Sequence, residues 1–367
     1  MTLPYWTTRS AHPSEAAAIL RLAAAVHGPD RPELNHDYLR WRYWSDTPFR
    51  AEIIVAEHQG RLIGMQPVAI FDFRRGDDRL RGAMYTGVLT HPEHRRRGVF
   101  RSLIDAANRY AAAHRAAFCM TMPNDASLPG FRKFGDWINP GHIPTFFKVL
   151  NGPALLREKV GRWAGVLFGW AARLLERPRY SFVEPGSEAP GPTEMLPDDL
   201  DLLAEQAARE SGGLMLHRSA DYWRWRYLDR PTASYRPTRR MPPAYHTLTV
   251  RESGETLGIA VTSTARQAGV EVGLIVDLMA RGGELSVRRL LQKAEDDILH
   301  RGAALVVCQA TNPMLRRALS DAGYVHPPAR WLPRRFHFVY RRTEIGNAAL
   351  PDLLDGWYLT FGDSDNT

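Results

Sequence analysis

The chain has 367 residues, 44% of them hydrophobic and 24% charged, which excludes a disordered or fibrous chain and suits two domains better than one. The net charge is +8, yet only Lys133, Lys148, Lys159 and Lys293 are lysines among 48 basic residues; an arginine-rich solvated surface accounts for the excess, and no nucleic-acid partner is expected. Cys119 and Cys308 lie far apart in apolar runs, as buried thiols do, so neither a disulfide framework nor a metal site is expected.

The first fifteen residues have no basic start followed by an apolar core, so a secretory leader is not expected and a cytoplasmic location is. The segment 37–43 (DYLRWRY) places Tyr38 and Trp41 on one face of a short helix, which is expected to pack on a sheet. Apolar runs at 51–58 and 61–73 read as strands joined by a Gln59-Gly60 turn, and 82–90 as a further strand. Phe100, Leu103, Ile104, Ala107, Tyr110 and Ala111 form the apolar stripe of a helix; a buried strand at 116–122 and a short helix at 125–134 follow. Between Arg162 and Arg173 lie ten uncharged residues, about half of the ~20 that span a bilayer. The segment 155–175 is therefore an amphipathic helix that docks on the protein's own core or rests on a membrane surface. A linker rich in proline and glycine occupies 177–197. Strands at 245–252, 256–264, 270–279, 303–310 and 334–342 and helices at 285–300 and 312–322 complete the pattern.

The second half repeats the first. Residues 37–43 return as 221–227 (DYWRWRY) with six identities in seven, and Asn124, Ser127, Phe131 and Gly135 share their spacing with Asn312, Leu315, Leu319 and Gly323. The expected fold is α/β: two copies of one unit, each a mixed, mostly antiparallel sheet flanked by helices. Their bounds are 1–150 and 198–343, with 151–197 as amphipathic helix and linker and 344–367 as a C-terminal tail.

The chemistry concentrates at 88–100 (VLTHPEHRRRGVF), where a strand runs through a basic turn into a helix. A glycine in such a turn lets consecutive backbone N–H groups converge, and the helix dipole adds partial positive charge. Arg95, Arg96 and Arg97 reinforce it, and Gly98 lets a diphosphate approach the backbone. The segment closely resembles the R/Q-x-x-G-x-G/A acyl-CoA signature of the GNAT acyltransferase superfamily. Asn124-x-x-Ser127-x-x-x-Phe131-x-x-x-Gly135 is similar to that family's second landmark, N-x-x-A-x-x-x-Y-x-x-x-G. The resemblance covers roughly 1–150, and 180–343 through the repeat, so the fold it implies is two tandem GNAT-like domains.

That resemblance implies that the amides of Arg96, Arg97, Gly98, Val99 and Phe100 bind the CoA pyrophosphate, with Arg95 at the first signature position. Leu89 and Thr90 would pair with the pantetheine arm and polarise the thioester carbonyl, and Asn124 would lie beside the cofactor. The implied activity is N-acetyl transfer from acetyl-CoA, or another acyl-CoA, to a small-molecule amine by direct attack, without a metal. Phe100 stands where the signature has a small residue, and Phe131 where many members have a proton-donating tyrosine. In the second half no R-x-x-G occurs between 275 and 290, and Arg281 is followed by Glu284, so that copy is expected to be degenerate for CoA. An attacking ammonium must lose a proton. Tyr85, His91 and the tail carboxylates of Asp363, Asp365 and Thr367 are the candidate bases, Tyr85 and Asp363 foremost. An aminoacyl-tRNA-dependent transferase of the twinned GNAT type and a non-catalytic CoA-binding module are the alternatives.

Overall fold

The computed structural model describes residues 5–28, 35–45, 47–152, 195–231, 245–267, 270–328, 332, 335–345 and 350–364. The amphipathic segment 155–175 and most of the linker lie outside them. Among the described residues no helix is long and apolar enough to cross a membrane.

The first half runs β1 (Thr7–Ser10), α1 (Ala16–His27), α2 (His36–Leu39) with a π-helical turn at Arg40–Trp44, β2 (Arg50–His58), β3 (Arg61–Arg75), β4 (Asp78–Tyr85), β5 (Leu89–Thr90), α3 (Val99–Ala113), β6 (Phe118–Thr121), α4 (Leu128–Lys133), β7 (Ile138–His142) and β8 (Thr145–Val149). The second runs α5 (Leu200–Ser211), β9 (Leu214–Leu216), α6 (Ala220–Trp223) with another π-helical turn at Arg224–Leu228, β10 (His246–Glu252), β11 (Glu255–Gln267), β12 (Val270–Ala280), α7 (Gly283–His300), β13 (Leu305–Gln309), α8 (Pro313–Asp321), β14 (His337–Arg342) and β15 (Trp357–Tyr358). Both opening hairpins turn through two left-handed residues, Gln59-Gly60 and Ser253-Gly254, the backbone that matches strand twist in a two-residue loop.

The sheets exchange strands. The first has the order β1-β2-β3-β4-β6-β14-β7, with β5 and β9 also on β3; the second has the order β10-β11-β12-β13-β8. Residues 145–149, counted with the first unit by sequence, thus close the second sheet antiparallel to β13. Residues 337–342, counted with the second, enter the first sheet between β6 and β7.

The twin aromatic segments meet each other rather than only their own sheets. Trp41 and Trp225 stack with ring centroids 5.0 Å apart and planes 15° from parallel. Each indole N–H donates to the other's backbone oxygen, at 3.0 Å from Trp41 and 3.3 Å from Trp225. A contact in which residue i meets j and j meets i is the mark of a two-fold relation. The stack lies in the largest core, which joins Phe71 and Phe73 of β3 to Trp357 of β15 and the α7 face of the second sheet. Smaller cores lie beneath α3 and α4 and beneath α1 and α2.

Candidate functional site

After β5 the chain makes one 3-10 turn at Pro92–His94, and Arg96 and Gly98 then take left-handed angles (φ 61° and 94°) before α3 begins. Glycine bears that conformation without the steric cost of a Cβ. No side chain caps α3, so the N–H groups of its first turn face out of the helix. Among the described residues the N–H groups of Arg96, Arg97 and Gly98 also find no acceptor. Arg95, Arg96 and Arg97 are exposed around them. Arg95 Nε ties the turn to β5 through the Thr90 carbonyl (3.3 Å), and Arg97 reaches the Tyr5 hydroxyl (3.0 Å). The result is a positively charged cradle of backbone donors at a helix N-terminus, suited to a diphosphate.

Beside the cradle the sheet opens. The pairing of β4 with β6 ends at Tyr85 and Thr121, while β5 pairs with β3 alone. His91 N–H donates to Ile63 on β3 at 2.8 Å, so strand alternation turns the backbone of Thr90 away from β3 and into the opening. Leu89 is buried on the α1 side. Asn124 lies just past β6, where its Oδ1 accepts from the N–H of Ala126 (3.1 Å) and Ser127 (2.9 Å) and from the Ser127 hydroxyl (3.0 Å). Its oxygen thereby shapes the turn into α4.

Phe100 does not crowd the cradle: its ring packs edge-on against Phe131, at 5.2 Å, over Gly130, where a Cβ would come within 2.8 Å of it. Phe131 is buried between Phe100 and Trp137 and has no proton to give.

Two candidate bases are corrected. Tyr85 is buried, donates to Asn108 Oδ1 (2.8 Å) and faces Cys119 Sγ (3.3 Å); burial, and then Cys119, push its hydroxyl well above the ordinary tyrosine range. It is a core hydroxyl whose proton is engaged by Asn108. Asp363, expected on the C-terminal tail, is sealed in the second half. It accepts from Arg218 Nη2 (2.8 Å) and Thr360 N–H (2.8 Å), and Arg218 also serves Asp277, with both arginine and Asp277 side chains 0% exposed. Burial raises the Asp363 carboxyl, opposed by Arg218 and aided by Asp277. Its carboxylate is thus committed to partners in the second half. Asp365 and Thr367 lie outside the described residues.

His91 is partly exposed, and its Nδ1 accepts from Glu93 N–H at 3.4 Å. His91, Glu93 and His94 bring ligand-type atoms within 4.8 Å of one another. Desolvation, and then Arg97, His91 and His58, hold the His94 ring below the usual imidazole range. So cationic a surrounding suits an anion better than a dication.

Residues 7–138 match the model of the acetyltransferase (GNAT) domain. No match was found among curated protein sequences. Three solved structures show the same fold across almost the whole chain. A GCN5-related N-acetyltransferase from Anabaena variabilis is 12% identical, with TM-score 0.60 over 92% of this chain and 72% of its own. A probable N-acyltransferase from Enterococcus faecalis is 13% identical, with TM-score 0.57 over 93% and 74%. The N-myristoyltransferase of Saccharomyces cerevisiae with bound myristoyl-CoA is 9% identical, with TM-score 0.57 over 93% and 83%.

The first sheet also gathers residues that sequence reasoning did not bring forward. His337, first residue of the exchanged β14, sits against Asp125 with Nε2 2.6 Å from Oδ1, and its ring meets that of His142 at 4.6 Å. The run RRFHFVYRR reads as a strand in sequence, but nothing in it names β6 as the neighbour.

Proposed function

We propose that this protein is an acyl-CoA-dependent N-acyltransferase, with acetyl-CoA as donor and a small-molecule amine as acceptor. The observation that carries the reading is the uncapped α3 start behind left-handed Gly98, flanked by three exposed arginines and opening beside the β4–β6 gap. Acyl-CoA supplies the thioester and the leaving thiolate. The amides of Arg96 to Phe100, with Arg95, would hold its diphosphate. The Thr90 N–H, turned into the gap, is placed to polarise a carbonyl there, a stabilisation that grows as the oxygen gains charge. Leu89 fixes that strand edge by burial, and Asn124 shapes the far lip of the gap.

The second half is read as a copy that has lost this function. Its helix α7 also starts from a left-handed glycine, Gly282, but the Gly282 N–H donates to Glu210 (2.6 Å) and Glu284 occupies the first turn. Arg281 is committed to Glu255 (2.8 Å) and the Thr256 carbonyl (2.9 Å).

Titration calorimetry with acetyl-CoA tests the reading. Wild type is expected to bind, and the Arg95→Glu/Gly98→Glu double variant is not; absence of binding by folded wild type overturns it. Thiol release from acetyl-CoA across an amine panel then separates an enzyme from a binding module.

A further inference from the structure

An enzyme that breaks a thioester must find a proton for the departing sulfur, and the position where the resemblance expects a tyrosine holds buried Phe131. The exchanged strand β14 lies on the other side of β6 from the gap. Val339 is opposite Thr121, the last residue of β6 to pair with β4, which puts His337 two residues further on, level with the chain entering the Asn124 turn. Successive side chains on a strand alternate, so His337 shares a face with Val339, and Val339 belongs to the core under α3 and α4. One strand spacing, about 5 Å, separates β14 from β6 at the mouth of the gap.

His337 is held there. Its side chain is 4% exposed and its Nε2 meets Asp125 Oδ1 at 2.6 Å, while Asp125 itself is 65% exposed and also faces Arg335 at 3.8 Å. His337 Nδ1 is buried and finds no partner among the described residues, and the same is true of His142 Nδ1. A buried imidazole nitrogen without a partner costs stability, so its retention needs a reason. The charged and titratable groups around the ring are Asp125 on the turn after β6, His142 on β7, Arg335 ahead of β14 and Arg132 on α4. Desolvation, and then His337, keep His142 below the usual imidazole range. Asp125 acts on His142 as well, but only His337 touches it directly.

We propose that His337, positioned by Asp125, is the proton donor to the departing CoA thiolate. This rests on the acyl-CoA reading above. The amine nitrogen forms the C–N bond to the thioester carbon, the C–S bond breaks with its electron pair left on sulfur, and the nitrogen releases its surplus proton to solvent. Sulfur takes the Nδ1 proton of the His337 imidazolium, whose charge Asp125 offsets, and the neutral ring left behind is reprotonated from solvent. The second half would thus complete the first half's site with a strand.

The test needs no acceptor. Calorimetry compares free CoA with desulfo-CoA between pH 6 and 9. Wild type should prefer free CoA about tenfold and take up a proton at the alkaline end, since a neighbouring cation lowers a thiol by a unit or more from its ordinary value near 8.5. His337→Gln should bind both ligands alike, and Asp125→Asn should keep part of the preference. The preference surviving in His337→Gln overturns the proposal. Should that variant misfold, thiolate absorbance of CoA bound to wild type decides: an ionisation at or above that of free CoA overturns it. Failure of wild type to bind either ligand overturns the acyl-CoA reading itself, a separate result.

Discussion

Helices α3 and α7 both start from a glycine in the left-handed region, at φ 94° for Gly98 and 76° for Gly282, yet what stands before them differs. Before α3 the arginines are exposed, with no carboxylate of the described residues on them, and no side chain caps the helix. Before α7 the chain supplies its own anion: Glu210 accepts from Gly282 N–H, Glu284 sits in the first turn, and Arg281 is drawn back to Glu255. A left-handed glycine before a helix start is therefore present twice. Whether the turn stays open depends on whether a carboxylate of the same chain fills it.

The comparison rests on the two halves being held in one frame, and the largest expected effect removes that frame. Trp41→Ala leaves a void in the joint core and strips Trp225 of its stacking partner, costing about 3–5 kcal/mol. Urea unfolding should show it, and Trp225→Ala should cost a similar amount with the double variant less than additive. Additive losses would mean that the two indoles do not work as a pair.

Next in size is the conversion of the open loop to the closed kind. Gly98→Glu places a carboxylate at a positive φ within the cradle and should weaken acetyl-CoA on the order of 100-fold, about 2.7 kcal/mol. Circular dichroism should show the fold retained. Undiminished affinity would detach the loop from CoA.

A smaller effect concerns the tail docked on the second half. One guanidinium, Arg218, faces both Asp277 and Asp363, and burial raises the Asp363 carboxyl. A folded-state value above the unfolded one stabilises the fold at pH below the unfolded value near 3.9, and this contribution fades as pH rises through the folded value. Asp363→Asn keeps the neutral form throughout, so its melting temperature should decline less than wild type's from pH 4 upward. Parallel curves would show that Asp363 is fully ionised in the fold.

The smallest effect reopens the closed loop. Glu210→Gln removes the anion from Gly282 and should cost about 0.5 kcal/mol, the low end for a lost helix cap. Inorganic phosphate should then raise the variant's melting temperature more than wild type's; equal responses would show that Glu284 alone suffices to close the site.

Much of this was legible because it is local. A strand, three arginines, a glycine and a helix stripe lie within 25 consecutive residues at 88–112, and the Gln59-Gly60 turn declares its backbone by residue type. The alternation of 334–342 identified a strand, but alternation fixes which face is buried and says nothing of which strand lies beside it. So the exchange of β8 and β14, and with it His337, stayed hidden. The repeat at 37–43 and 221–227 was plain, yet identity between two segments does not reveal that they touch. Asp363 misled for another reason. Its surroundings, GDSDNT, are polar enough to suggest solvent, and only the distant Arg218 makes its burial tolerable.

The crossed strands also dictate an order of events during synthesis. The basic loop before α3 is complete once residue 100 is made, but the β6 edge beside it is not covered until residues 337–342 have left the ribosome. For more than half of translation the nascent first sheet presents a bare edge, the kind that recruits foreign strands and the chaperones that guard against them. A cut in the linker would make the condition permanent: two fragments, each missing a strand held by the other, that regain a native sheet only as a pair.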